Sequence, residues 1–288
     1  MLFLIGMVVV FGSVAGGYAM HHGQFGVLWQ PNEIVIIFGA AVGAFVISAN
    51  GDLLKDTGKG LKKLFIGKPY KKKHYIELLA FMFEVFKLMK SKGMLAIEAH
   101  LENPHESELF KKYPTVIHDH HVLDFFCDYL RMLTMGIDNQ YQLEDSMDRE
   151  IDLHHQALHE VAAGVGSIGE GMPALGIVAA VLGVITTMKS ISEPPEVLGG
   201  LIAAALVGTF LGVLMSYGVL SPISSFLNRF AAAETQYYIC IKTGLISHIQ
   251  GNAAAVSAEF ARKVIPAHER PSFAELEAAM NGDDKGAS

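Results

Sequence analysis

Residues 198–220 read LGGLIAAALVGTFLGVLMSYGVL and hold no charged side chain. A helix needs about 20 apolar residues to cross the hydrocarbon core of a bilayer, so this run reads as a membrane span. Three more runs of the same kind precede it. Residues 171–188 (GMPALGIVAAVLGVITTM) lie between Glu170 and Lys189, and residues 34–50 (IVIIFGAAVGAFVISAN) lie between Glu33 and Asp52. Residues 1–20 (MLFLIGMVVVFGSVAGGYAM) have no basic residue ahead of their apolar core, which favours a retained helix over a signal peptide. Of all 288 residues 51% are hydrophobic and 18% charged, and the apolar ones come in these blocks rather than spread over amphipathic elements. The formal net charge of -7 gives no basis for nucleic acid as a partner; the lipid bilayer is the expected surroundings.

Orientation follows from the lysines. Residues 21–32 have no Lys or Arg and residues 189–197 have only Lys189, whereas Lys55, Lys59, Lys62, Lys63, Lys68, Lys71, Lys72 and Lys73 follow the second span. The positive-inside rule puts that cluster, and with it both termini, in the cytoplasm. The expected divisions are 1–50 for spans one and two, 51–168 for a cytoplasmic insertion, 169–222 for spans three and four, and 223–288 for a cytoplasmic helix and tail. In the insertion, Leu78, Leu79, Met82, Phe83, Phe86 and Met89 recur at helical steps, with Gly93 as a breaker. Residues 121–135 repeat the period. Residues 139–162 read as a long helix leading into span three, and 228–262 as another helical run. Ser272 and Glu275 have capping-box spacing, and residues 282–288 (GDDKGAS) read as a disordered tail. No stretch alternates as a strand does. The expected fold class is all-α: a polytopic membrane protein with four transmembrane helices and a large helical cytoplasmic insertion.

The chemistry is defined by an absence. As drawn, none of the four spans holds an ionisable residue in its interior, although ion carriers place such groups there. An ion-conducting role therefore requires a partner that brings the acid; helices that merely anchor a cytoplasmic domain are the bland alternative. Gly12 with Gly16, Gly39 with Gly43, and Gly208 with Gly212 have the spacing of close helix contacts. Pro173 is either a helix-start proline or a hinge. Thr186, Thr187, Thr209, Ser216 and Tyr217 make spans three and four more polar; threonine hydroxyls either bond their own helix or line a wet path. Cys127 and Cys240 read as unpaired thiols. His155 and His159 have a zinc-compatible spacing, but no HExxH order accompanies it, and no cofactor or metal motif is expected. No nucleophile or phosphate loop marks an enzyme. A conventional channel or permease with a cytoplasmic regulatory domain is the other reading, but a permease carries its own polar site or internal repeat.

Six stretches carry a family resemblance. They are GxxxGGYxM (Gly12 to Met20), QPxExVIIxGAxxG (Gln30 to Gly43), LENPHESELFxxYP (Leu101 to Pro114), PAxGIVAAVxGV (Pro173 to Val184), VGTFLGxLxxYGxxSP (Val207 to Pro222) and ERPSFxELE (Glu269 to Glu277). In this order the chain resembles the MotA family of flagellar stator subunits over essentially its whole length. The resemblance implies a five-membered ring of this chain around two copies of MotB, in the bacterial inner membrane. MotB would supply the protonatable aspartate that the spans lack. It implies coupling roles for Pro173 and Pro222, an ion-path role for Thr209, and a role for Tyr217 near the end of span four. Contact with the rotor protein FliG would run through Glu98 and Lys90, the latter replacing the arginine of the best-known members. Lysine keeps the charge but loses the planar fork. Sodium-driven relatives carry extra threonines where this chain has Ala180 and Gly208, so the implied ion is the proton.

Overall fold

The computed structural model describes residues 2–66, 69–137 and 139–282; Lys68 and all but Gly282 of the expected tail at 282–288 lie outside them. Thirteen α-helices follow one another, and there is no strand among the described residues. They are α1 (Leu2–Met20), α2 (Phe25–Leu28), α3 (Pro31–Ser48), α4 (Gly51–Ile66), α5 (Lys72–Lys92), α6 (Leu95–Glu102), α7 (Pro114–Ile117), α8 (His120–Thr134), α9 (Gln140–Thr187), α10 (Pro195–Met215), α11 (Ser221–Ile249), α12 (Ala254–Lys263) and α13 (Phe273–Asn281). Four continuous stretches are long and apolar enough to cross a membrane: Leu2–Met20, Phe25–Ser48, Gln140–Ser190 and Pro195–Ile249.

The helix ends follow local chemistry. Pro31 opens α3 from the first turn, where its missing N–H is no loss. Gly93 ends α5 at φ +81°, a conformation open to a residue without Cβ. The Asp119 side chain accepts from the Val122 N–H at the start of α8. The expected Ser272–Glu275 capping box is present, with Ser272 N–H donating to Glu275 at 2.6 Å and Glu275 N–H donating to Ser272 at 3.2 Å. The long helix expected from residue 139 runs unbroken through span three as α9. The single run expected over 228–262 is corrected. Its first part continues directly from span four as α11, and the helix stops at Gly251, whose φ is +88°.

The chain forms two compact units, Met1–Gly67 with Ala157–Arg229, and Lys68–Gln156 with Phe230–Ser288. The first holds the four apolar spans and α4. No residue of α1 is fully buried; Phe3 and Met7 pack on a cluster around Val219 and Leu227, and the rest of its apolar surface is left for lipid or for other polypeptides. A Cβ on Gly12, Gly16, Gly39 or Gly43 would meet nothing within 4 Å. Of the expected close-contact pairs, only Gly208 with Gly212 works inside the chain. The second unit has a conventional aromatic and aliphatic core. Phe81, Phe86, Phe110, Phe126 and Tyr237 are fully buried in it. Tyr70 stacks on Tyr237 at 3.7 Å between ring centroids and donates its hydroxyl to Asp119 at 2.6 Å. Cys127 and Cys240 are buried and free, as expected.

Two sequence stretches of the second unit turn out to be fastenings. In residues 101–114, Ser107 Oγ accepts the Phe110 N–H and pairs with His100 Nδ1, which folds the turn after Asn103-Pro104 and seats Phe110 in the core. In residues 269–277, Glu269 accepts the Lys72 N–H at 2.8 Å, the Pro271 carbonyl accepts from Arg262, and Glu275 pairs with Lys72 at 2.6 Å. Together these bonds pin α13 to the start of α5.

Candidate functional site

Within the first unit, spans three and four cross at glycines. A Cβ on Gly176 would lie 2.7 Å from the Gly208 carbonyl oxygen, and one on Gly212 would lie 2.5 Å from that of Met172. Backbone meets backbone here, which is how small residues bring membrane helices together. Thr209 follows Gly208 on α10 and is partly exposed. Thr186 and Thr187 donate to the carbonyls of Leu182 and Gly183 on their own helix, at 3.0 and 2.9 Å. For those two the backbone-bonding reading holds.

The same crossing receives a residue that sequence reading left at a span's edge. Glu33 is 7% exposed. Its Oε2 would be 2.5 Å from a Cβ on Gly208, and its Oε1 3.4 Å from a Cβ on Gly183. Oε2 has no hydrogen-bond partner among the described residues. The span interiors, as drawn from the sequence, hold no acid, but the helix of span two begins at Pro31 and its first turn carries a buried carboxyl. An unpartnered carboxylate in an apolar slot costs several kcal/mol. The positive end of the α3 dipole offsets only about 1 kcal/mol of that. The slot therefore calls for a proton or a cation on the carboxylate. The missed signal was Pro31. A proline two residues before Glu33 starts the helix early enough to carry Glu33 into the bundle.

The two prolines come together through their neighbours. Pro173 lies inside α9 and is partly buried; it does not end the helix. Gly169, four residues earlier, packs on Leu220: a Cβ there would be 2.9 Å from the Leu220 Cβ. Leu220 ends a π-helical turn, Ser216–Leu220, that joins α10 to α11. In it the Ser221 N–H reaches back to the Ser216 carbonyl. Pro222 follows at once. Its ring removes a donor and crowds the carbonyl four residues back, and the widened turn absorbs that conflict. Ser216 is buried, and Tyr217 is 70% exposed. Sequence periodicity gave no sign of this turn.

In the second unit, Lys90 is exposed near the end of α5 and Glu98 is exposed in the first turn of α6, with the Gly93 break between them. They are not paired with each other. Lys90 Nζ donates to the carbonyls of Gly251 and Asn252, at 3.2 and 3.4 Å, where α11 ends. A cation suits that negative helix end. His248 lies beside it, stacked on Phe86 at 4.5 Å. Burial first, then the Lys90 charge, pushes its ring below the usual imidazole range. His155 is bonded to Thr235 at 2.9 Å. Among the described residues, no three His, Cys, Asp or Glu side chains gather as a metal site.

Comparison with known proteins adds a name to this arrangement. Residues 4–93 match the family model "Motility protein A N-terminal", and residues 119–239 match "MotA/TolQ/ExbB proton channel family". The chain is 43% identical to Motility protein A of Salmonella typhimurium over 277 residues, covering 96% of this chain and 94% of that protein. The same figures hold for Motility protein A of Escherichia coli. In fold it is similar to the solved Campylobacter jejuni MotAB structure (TM-score 0.78, 20% identity, 94% of this chain and 98% of that one). It is likewise similar to the Bacillus subtilis flagellar MotAB stator complex (TM-score 0.74, 24% identity, 93% and 96%). The chain belongs to the Motility protein A family, within the MotA/TolQ/ExbB proton channel group.

Proposed function

We propose that this chain is the ring-forming subunit of a flagellar stator, converting proton flow across the bacterial inner membrane into torque on the rotor. The observation that carries this is the 43% identity running through 96% of the chain. In this reading five copies surround two copies of MotB, whose aspartate supplies the mid-membrane acid. The Lys-rich flank of span two keeps both termini in the cytoplasm. Pro173, Thr209, Tyr217 and Pro222 serve the ion path and its coupling. Their support is the shared crossing of α9 with α10 and the π turn beside it. Lys90 and Glu98 meet FliG; both are exposed, and attraction at a distance suits a contact that forms and breaks. No metal or other cofactor is required by it.

The test is restoration of swimming in a stator-deleted bacterium by this chain expressed with its MotB. Swimming that ignores sodium at fixed pH supports the proton assignment, and strong sodium dependence overturns it. Swimming that does not return overturns the stator reading itself.

A further inference from the structure

Among the described residues, Glu33 is the carboxyl that packs into the crossing of spans three and four, and nothing in the reading above uses it. Where its carboxylate meets spans three and four, the neighbours are glycine and alanine. From α9 it faces Gly183, with Ala179 beside the same Gly208; from α10 it faces Ala205 and Gly208. The short helix α2, which also packs on α10, contributes Phe25–Leu28 and no ionisable group. Along α9 the next ionisable residue beyond Gly183 is Lys189; along α10 the one before Ala205 is Glu196. On the chain N-terminal to α3 the nearest are His21 and His22, and after Glu33 none occurs before Asp52. Among the described residues no basic side chain pairs with the carboxylate, so an ion pair does not explain it. A metal cation is a poor fit, because it needs several oxygens and the faces turned to Glu33 offer glycines and alanine methyls. A proton needs one oxygen.

We propose that Glu33 is a proton-exchanging site that this chain itself contributes at the outer end of the ion path, ahead of the partner's acid. The inference rests on the stator reading for its direction of flow, though the site itself does not. A proton from outside water binds the carboxylate oxygen to give the neutral acid, which the glycine slot accommodates. It leaves again as the same O–H bond breaks and the proton passes inward, regenerating the carboxylate. Gly183 and Gly208 are what make the slot, since a side chain at Gly208 would occupy the position of Oε2. The site then sits on the two helices whose crossing also carries Thr209. Loading Glu33 and moving the ring share one piece of packing.

The experiment uses the complex of the full chain with its MotB, as wild type, Glu33→Gln and Glu33→Asp. Two quantities are read: proton flux into vesicles at fixed driving force as external pH varies, and the infrared carbonyl band of a protonated carboxyl, assigned with isotope-labelled glutamate. Expected is a band that titrates with external pH, shifts in Glu33→Asp and is lost in Glu33→Gln. Flux should fall about 100-fold in Glu33→Gln, the lower end of what one positioned proton-transfer group contributes, and less in Glu33→Asp. A Glu33→Gln complex with wild-type flux at every pH overturns the proposal. If Glu33→Gln does not assemble, the wild-type and Glu33→Asp spectra decide: a Glu33 carboxyl that never changes protonation overturns it. Wild-type complexes that carry no protons but show the titrating band sink the stator reading and leave the site standing.

Discussion

A methyl group at position 208 has nowhere to go. It would fall 2.5 Å from Glu33 Oε2, 3.1 Å from the Ala179 Cβ and 3.2 Å from the Gly176 carbonyl. Gly208→Ala is therefore expected to lower the thermal stability of the solubilised chain by about 1–3 kcal/mol, the usual range for overpacking. Glu33→Gly in the same chain should recover part of the loss, because it clears the nearest atom. Gly39→Ala, with nothing within 4 Å, should not destabilise the protomer, so any loss of assembly would report on contacts outside it. A second residue-scale prediction concerns protons in the other unit. Burial is the leading cause that puts both His74 and His248 below the ordinary imidazole value of 6.5. The unfolded chain then takes up protons that the native rings refuse. Their contribution is fully present above about pH 6.5, and stability falls as pH drops below it until the native rings themselves protonate. Unfolding temperatures between pH 7.5 and 5.5 should show the decline, and His248→Phe should make it shallower. The glycine pair at 208 and 212 was legible as a contact. The acid it packs against was not, because a window of hydropathy cuts a span at its first charge while the helix itself begins at a proline.

Elements were read best where a cap or breaker announces them. Gly93 ended α5, and Ser272 with Glu275 opened α13, as their residue types require. Gly251 was missed because the apolar pattern resumes beyond it, and only the backbone reveals that its φ is positive. The π turn was invisible for a different reason: it is the answer to Pro222, and its form depends on the packing of Gly169 against Leu220. Pro222→Ala restores the missing donor. The turn at 216–220 should then tighten into ordinary α-helix, visible as slower amide exchange there. Because that tightening rotates Tyr217 relative to α11, motor torque should fall while the complex still assembles. The capping box allows a cleaner measurement. Lys72 and the Ser272 N–H hold the Glu275 carboxyl down at about 2. The bond is thus complete at neutral pH, and its contribution fades only as pH falls from the ordinary carboxylate range toward that value. Ser272→Ala should cost about 1 kcal/mol, read as earlier release of α13 in limited proteolysis.

At the scale of the whole molecule, α9 and α11 each contribute residues to both units. The 48 residues of α9 are far more than the roughly 20 a helix needs to cross a hydrocarbon core. One end is the acid- and histidine-rich stretch before Ala157, and the other is span three. The spans leave much of their apolar surface uncovered: Leu2, Val35, Ile47 and Leu206 are all more than half exposed. The glycine pairs of α1 and α3 face open space. That surface is left for lipid or for other polypeptides, and the middles of the spans hold no ionisable side chain of their own. Vesicles containing the chain alone should therefore pass no more protons than empty ones, and co-expression with MotB should raise the flux. Replacing the partner's intramembrane acid by its amide should abolish that flux. Glu33→Gln should leave a residue of it, since an entry site speeds loading of a carrier that can still load without it. That ordering is specific to a path with one acid borrowed and one owned. Equal and total loss in both variants would place Glu33 in series with the partner's acid, with no bypass around it.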